Sequence, residues 1–83
     1  MNKFLHITKV AYLHDYKLEL GFNDGTLGEF DFENELAGEI YKPLINKEFF
    51  SKVYINPDTE TIEWPNGADF APEYIHSKMR VLV

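Results

Sequence analysis

Apolar and polar residues alternate most regularly over Tyr16-Lys17-Leu18-Glu19-Leu20-Gly21-Phe22, the spacing of a strand with one face buried. Asn23-Asp24-Gly25 is a turn signal, and alternation resumes in Thr26-Leu27-Gly28-Glu29-Phe30-Asp31-Phe32. Two hairpin registers compete. A two-residue loop at Asp24-Gly25 sets Leu20 across from Glu29 and Leu18 across from Asp31, mixing carboxylates into the apolar face. A three-residue loop, with Gly25 in the left-handed position of a bulge, sets Phe22 opposite Thr26, Leu20 opposite Gly28, Leu18 opposite Phe30 and Lys17 opposite Asp31. The second register segregates the charges and is expected, with Leu18, Leu20, Phe22 and Phe30 on one buried face. Ile7 to Leu13 is also strand-like, and His14-Asp15 is the turn expected after it, giving a three-stranded antiparallel meander.

From Glu33 to Pro43 the signals are mixed, with Gly38 and Pro43 among them, and the pattern predicts an irregular connection with room for one helical turn. Asn46 is placed to cap a short helix through Lys52, with Ile45 stapling onto Phe50, and Phe49 and Phe50 anchoring it to the sheet. Val53-Tyr54-Ile55-Asn56 and Thr61-Ile62-Glu63-Trp64 read as a second strand pair around a turn at Pro57-Asp58. Pro65-Asn66-Gly67 breaks it. Pro72-Glu73 opens a terminal helix expected to run to Arg80, with Tyr74, Ile75 and Met79 along one side and Asp69 capping from further back in place of Ala71. The expected fold class is α+β: three-stranded meander, short helix, second strand pair and C-terminal helix, in one domain over residues 1–83.

Composition narrows the function classes. The 83 residues include 14 Asp plus Glu against 8 Lys plus Arg, for a net charge of -6, and no cysteine. A disulfide framework, a thiolate nucleophile and the zinc patterns built on cysteine are therefore excluded, and the compartment reads as reducing. No apolar stretch near the start reaches signal or membrane-span length, so a soluble cytoplasmic protein is expected, without membrane contact. With Arg80 as the single arginine, direct nucleic-acid binding is not expected, since phosphate affinity comes mainly from Lys and Arg. A basic or neutral protein partner fits better, and self-association stays open.

The residues that could carry chemistry are few. His6, His14 and His76 show no HxH or HExxH spacing, and His14-Asp15 reads as a turn, because adjacent side chains point apart. Ser51 and Ser77 lie in no glycine-flanked elbow, and neither GxGxxG nor a P-loop occurs. No catalytic residue, metal ligand or cofactor is assigned. The sharpest local feature is Glu29, Asp31, Glu33 and Glu35, which form one row of carboxylates if the chain stays extended. Such a row suits a basic partner or a hard cation, although alternation with Phe30 and Phe32 is also what any half-exposed strand shows. Tyr12, Tyr16, Tyr41, Tyr54 and Tyr74 read chiefly as core-margin residues with the hydroxyl in water.

Val10, Tyr16 to Phe22 with Asp24-Gly25-Thr26, Phe30-Asp31, Pro43-Leu44 with Phe50, and above all Ile62-Glu63-Trp64-Pro65-Asn66-Gly67-Ala68-Asp69 resemble the bacterial domain-of-unknown-function family 2442. The resemblance implies a compact α+β domain, found alone or ahead of a helix-turn-helix, and the stand-alone form is expected because the sequence stops at Val83. It further implies one half of a two-gene pair similar to toxin and antitoxin modules, with no established catalytic residue. Two departures from the family pattern are Asn46-Lys47-Glu48, where relatives often have Asp-Pro, and Ala71 at the cap position. Trp64, Asn66, Gly67 and Asp69 form the family motif and read as structural: Asn66-Gly67 turns the backbone, Trp64 packs, and Asp69 bonds exposed amides. The expected function is a non-enzymatic acidic module that binds a small bacterial protein, antitoxin-like, through Glu29, Asp31, Glu33 and Glu35. An accessory transcriptional regulator working with a separate DNA-binding chain is the alternative, and a small metal-assisted hydrolase using the carboxylate row comes third.

Overall fold

A computed structural model describes residues 4–82. Strands β1 (Ile7–His14), β2 (Lys17–Phe22) and β3 (Leu27–Asp31) form the expected antiparallel meander. The β2–β3 hairpin takes the three-residue register, with Leu18 facing Phe30, Leu20 facing Gly28 and Lys17 facing Asp31. Phe22 N–H donates to the Thr26 carbonyl at 2.9 Å, and Gly25 sits at φ +87°. Leu18, Leu20, Phe22 and Phe30 are all buried, so segregating the carboxylates decides the register. The β1–β2 turn falls at Asp15-Tyr16, one residue later than the expected His14-Asp15, because His14 pairs with Lys17. Asp15 adopts φ +49°, a region that a short polar side chain tolerates.

Extended chain stops at Phe32. Asp31 Oδ1 accepts the Glu33 N–H at 2.9 Å and Glu35 N–H donates back to the Phe32 carbonyl at 2.8 Å, which starts a 3-10 turn over Glu33–Glu35. A longer 3-10 helix, Glu39–Ile45, follows. Asn46 caps α1 (Lys47–Phe50), accepting the Phe49 N–H at 3.1 Å, so the cap is as expected although α1 ends before Lys52. Ile45 is 53% exposed rather than stapled, and its carbonyl instead accepts the Tyr16 hydroxyl.

The second strand pair is β4 (Tyr54–Asn56) and β5 (Thr61–Glu63), shorter by one residue each than the sequence implied. Asn56 shapes its turn, accepting the Asp58 N–H at 2.8 Å and donating to Glu63 at 2.7 Å. The terminal helix α2 covers Pro72–Lys78. Arg80, expected at its end, belongs to a short strand β6 (Arg80–Val81) that pairs with β3 and makes the sheet four-stranded, in the order β1-β2-β3-β6. Gly28 permits this approach: a Cβ there would stand 2.6 Å from Met79 Sδ and 2.8 Å from the Arg80 carbonyl oxygen.

Phe32, Phe50, Trp64, Leu18, Leu20, Leu44, Ile62 and Ile75 are fully buried in one continuous core. Phe32 is its hub, with ring centroids 4.7 Å from Phe30, 5.1 Å from Phe70, 5.8 Å from Phe50 and 6.1 Å from Trp64. That burial explains why the chain turns where it does. Phe30 and Phe32 both enter the core by strand alternation, and the local bonds of Asp31 and Phe32 then divert the backbone.

Candidate functional site

The Trp-Pro-Asn-Gly-Ala-Asp segment is a tight turn pinned from inside. The Trp64 indole N–H donates to the Phe50 carbonyl at 2.7 Å, and the ring lies 5.4 Å from that of Phe50. Trp64 N–H donates to the Ala68 carbonyl at 2.9 Å and Gly67 N–H to the Trp64 carbonyl at 2.8 Å, with Gly67 at φ +91°, where a side chain would be strained. Asn66 is exposed; it accepts the Ala68 N–H at 3.2 Å and donates to the Ile40 carbonyl at 2.8 Å, tying the turn to the 3-10 helix. Asp69 departs from expectation. Among the described residues its carboxylate accepts no hydrogen bond, and Ala71, the N-cap of α2, leaves the helix without a side-chain cap. The Asp69 backbone is committed instead, bridging Glu63 and accepting the Tyr41 hydroxyl at 2.9 Å.

Beside this turn three aromatic rings stack. Tyr41 lies 4.9 Å from Phe70 at an interplanar angle of 22°, Phe70 lies 6.4 Å from Tyr74 at 19°, and Lys78 Nζ stands 5.4 Å from the centre of the Tyr74 ring. Phe70 is buried, Tyr41 half-buried and Tyr74 38% exposed. The Tyr74 hydroxyl donates to Glu35 Oε1 at 2.5 Å; that bond, aided by burial, raises its pKa above the usual phenol value of 10.0. Burial and the nearby Asp69 charge raise Tyr41 in the same direction. Both phenols stay neutral and donating at neutral pH. Glu33, Glu39, Asp69 and Glu73 are exposed on the elements that frame these rings.

The carboxylate row is divided. Glu29 lies between Glu19 on β2 and Arg80 on β6, and Asp31 lies opposite Lys17. Lys17, Glu29, Phe30, Asp31, Lys78 and Arg80 line a shallow cleft of about 320 Å³. Glu33 and Glu35 belong to the 3-10 turn, and among the described residues neither forms an ion pair. The structure thus brings Glu35 to Tyr74 and sends Glu29 and Asp31 to a cleft of mixed charge. Sequence reasoning missed the aromatic stack; its one signal was the four-residue spacing of Phe70 and Tyr74.

His14 and Asp15, expected to point apart, meet: Nδ1 lies 3.1 Å from Oδ2, because the left-handed turn at Asp15 folds them together. Lys47 Nζ holds the other oxygen at 3.0 Å, and its hydrogen bond, followed by that of His14, lowers the Asp15 pKa below 3.8. His76 Nε2 lies 2.9 Å from Asp24 Oδ2. Ser51 and Ser77 donate to the carbonyls of Glu48 and Tyr74. No three His, Asp or Glu side chains among the described residues are grouped to share a metal ion.

Fold and surface together define a small acidic α+β domain with a tyrosine and carboxylate face. Residues 7–79 match the model of a family described as protein of unknown function (DUF2442), and the chain belongs to that family. No curated protein and no solved structure matches it. No helix among the described residues is long and apolar enough to cross a membrane.

Proposed function

We propose that this protein is a non-enzymatic binding module that holds a small basic protein partner in the cytoplasm, as the antitoxin-like member of a two-gene pair. The observation that carries this reading is the stack of Tyr41, Phe70 and Tyr74 with Glu35 bonded at its exposed end. Lys78 already stands over the Tyr74 ring, so the rings serve a partner chiefly as rigid contact area at little cost in conformational entropy. Carboxylates beside them accept the N–H groups that an arginine or lysine brings. The net charge of -6 adds long-range attraction for a basic surface.

Co-purification of the tagged protein from its own cell supplies the partner for the test. Glu33→Lys with Glu35→Lys should slow association roughly tenfold at low salt, and the difference should shrink once charges are screened over about 8 Å at physiological ionic strength. Wild-type association rates in that double variant, with its circular dichroism unchanged, would sink the proposal.

A further inference from the structure

Two turns of this chain are built alike. Residues 22–26 and 64–68 each close with a bond from the first N–H to the fifth carbonyl, Phe22 to Thr26 and Trp64 to Ala68, both at 2.9 Å. In each, the glycine in fourth place donates back to the first carbonyl, Gly25 at 3.0 Å and Gly67 at 2.8 Å. The side chain before that glycine accepts the fifth N–H, Asp24 at 2.9 Å and Asn66 at 3.2 Å. Its remaining atom reaches another element: Asp24 Oδ2 lies 2.9 Å from His76 Nε2 on α2, and Asn66 Nδ2 donates to the Ile40 carbonyl at 2.8 Å.

Asn-Gly and Asp-Gly are also the pairs in which a backbone amide most readily attacks the preceding side chain, because glycine puts no Cβ in the way. Both sites are exposed, and a Cβ on Gly25 or Gly67 would have nothing within 4 Å. The restraint on reaction therefore comes from hydrogen bonds. Gly67 N must lose its proton to attack, and donation to the Trp64 carbonyl disfavours that loss. Asn66 Cγ must swing toward Gly67 N, and its side chain is held at both ends. We propose that Asn66 is a deamidation site that the native turn keeps silent and that reacts when the turn opens. Gly67 N then bonds to Asn66 Cγ, the Cγ–Nδ2 bond breaks, and ammonia leaves with the amide proton. Water opens the cyclic imide at either carbonyl, giving aspartate or isoaspartate. Asp24 is the lesser site: bonds from Thr26 are the first cause of its lowered pKa, and an ionised carboxylate is a poor electrophile. The product at position 66 cannot donate, so a second acceptor oxygen faces the Ile40 carbonyl. The conversion is one-way, and it cuts the tie between the turn and the 3-10 helix that carries Tyr41.

Incubation at one mildly alkaline pH, folded and in guanidinium chloride, with peptide mapping for aspartate and isoaspartate at each site, tests this. Asn66 should convert in the denatured chain ahead of Asp24, and roughly tenfold or more slowly in the folded chain, where the bonds must first open. Equal rates in the two states overturn the proposal, as does a denatured chain in which Asn66 stays intact or Asp24 converts first. Asn66→Asp reproduces the direct product at an exposed position. Its Tyr41 amide, which donates to the Gly38 carbonyl at 3.2 Å, should exchange several-fold faster than in the wild type, whereas the Ala68 amide keeps its acceptor and its rate. Wild-type exchange at Tyr41 in that variant would show that no tie is cut and would sink the switch.

Discussion

Glu29 and Asp31 are separated from Glu33 and Glu35 by a single residue, Phe32, yet the two pairs have different surroundings. The first pair stands on a strand, where Lys17 and Arg80 face it across the sheet. The second stands in a 3-10 turn, where Glu35 meets a tyrosine hydroxyl; among the described residues none of the four forms an ion pair. Sequence spacing was identical for both. What differs is whether the backbone has strand neighbours, on both sides for Glu29 and on one for Asp31, because a strand fixes which charges lie opposite one another while a turn leaves them to solvent. Carboxylates that share a cleft with Lys17, Lys78 and Arg80 present a partner with a surface of mixed charge; those on the turn do not.

The sharpest way to break this contrast is to remove the residue that divides it. Phe32→Ala empties the hub of the core and should cost about 3 to 5 kcal/mol, read as a lower denaturant midpoint. Trp64→Ala belongs to the same range, with the added loss of the bond to the Phe50 carbonyl. Gly28→Ala should cost roughly 1 to 3 kcal/mol, because its Cβ would run into Met79 and the Arg80 backbone, and faster exchange at the Leu82 amide would show β6 lifting from β3. A stable Gly28→Ala with unchanged exchange would show that β6 contributes nothing.

Smaller effects separate the two pairs themselves. Reversing Glu29 and Asp31 to lysine should slow partner association only a few-fold, against roughly tenfold for Glu33 and Glu35, because only the first pair shares its surface with Lys17, Lys78 and Arg80. Equal effects would erase the distinction. The raised Tyr74 pKa means that its bond to Glu35 contributes fully below pH 10.0 and is lost as the pH climbs through the higher folded value. Tyr74→Phe should remove one late-ionising phenol from the ultraviolet titration and flatten that alkaline loss of stability. Asp15 works in the opposite direction: its lowered pKa gives stability present above pH 3.8 and lost as the pH falls through the folded value, so Asp15→Asn should make acid unfolding slightly shallower.

How far the sequence carried depends on whether a segment's partners are local. Leu18, Leu20 and Phe30 face the same way under a turn that Gly25 accommodates, so alternation alone settled the meander's register. Asn46 announced its helix for the same reason, since its partner is three residues away. Phe32 could not be recognised as the end of the extended chain, because Phe30-Asp31-Phe32 continues the alternation and the diverting bond is a side-chain acceptor two residues back. The start of β6 was hidden at the end of a helical pattern, and only tertiary contact with β3 draws Arg80 out of it. Of the proposed binding face, the carboxylates were visible and the stacking of the rings was not, since Tyr41 and Phe70 meet only after the 3-10 helix and the tight turn are both in place.

The pairing of β6 with β3 also orders events in time. β1, β2 and β3 join through short turns, so their hydrogen bonds close small loops and should form early. Gly28 meets Val81 only after nearly all the intervening chain has been gathered, and the entropy of closing so long a loop is recovered late. In a refolding pulse-labelling experiment the Leu20 and Phe30 amides should therefore gain protection before that of Leu82. A nascent chain leaving the ribosome would carry a formed meander while its last strand was still being made, with the β3 edge uncovered until then.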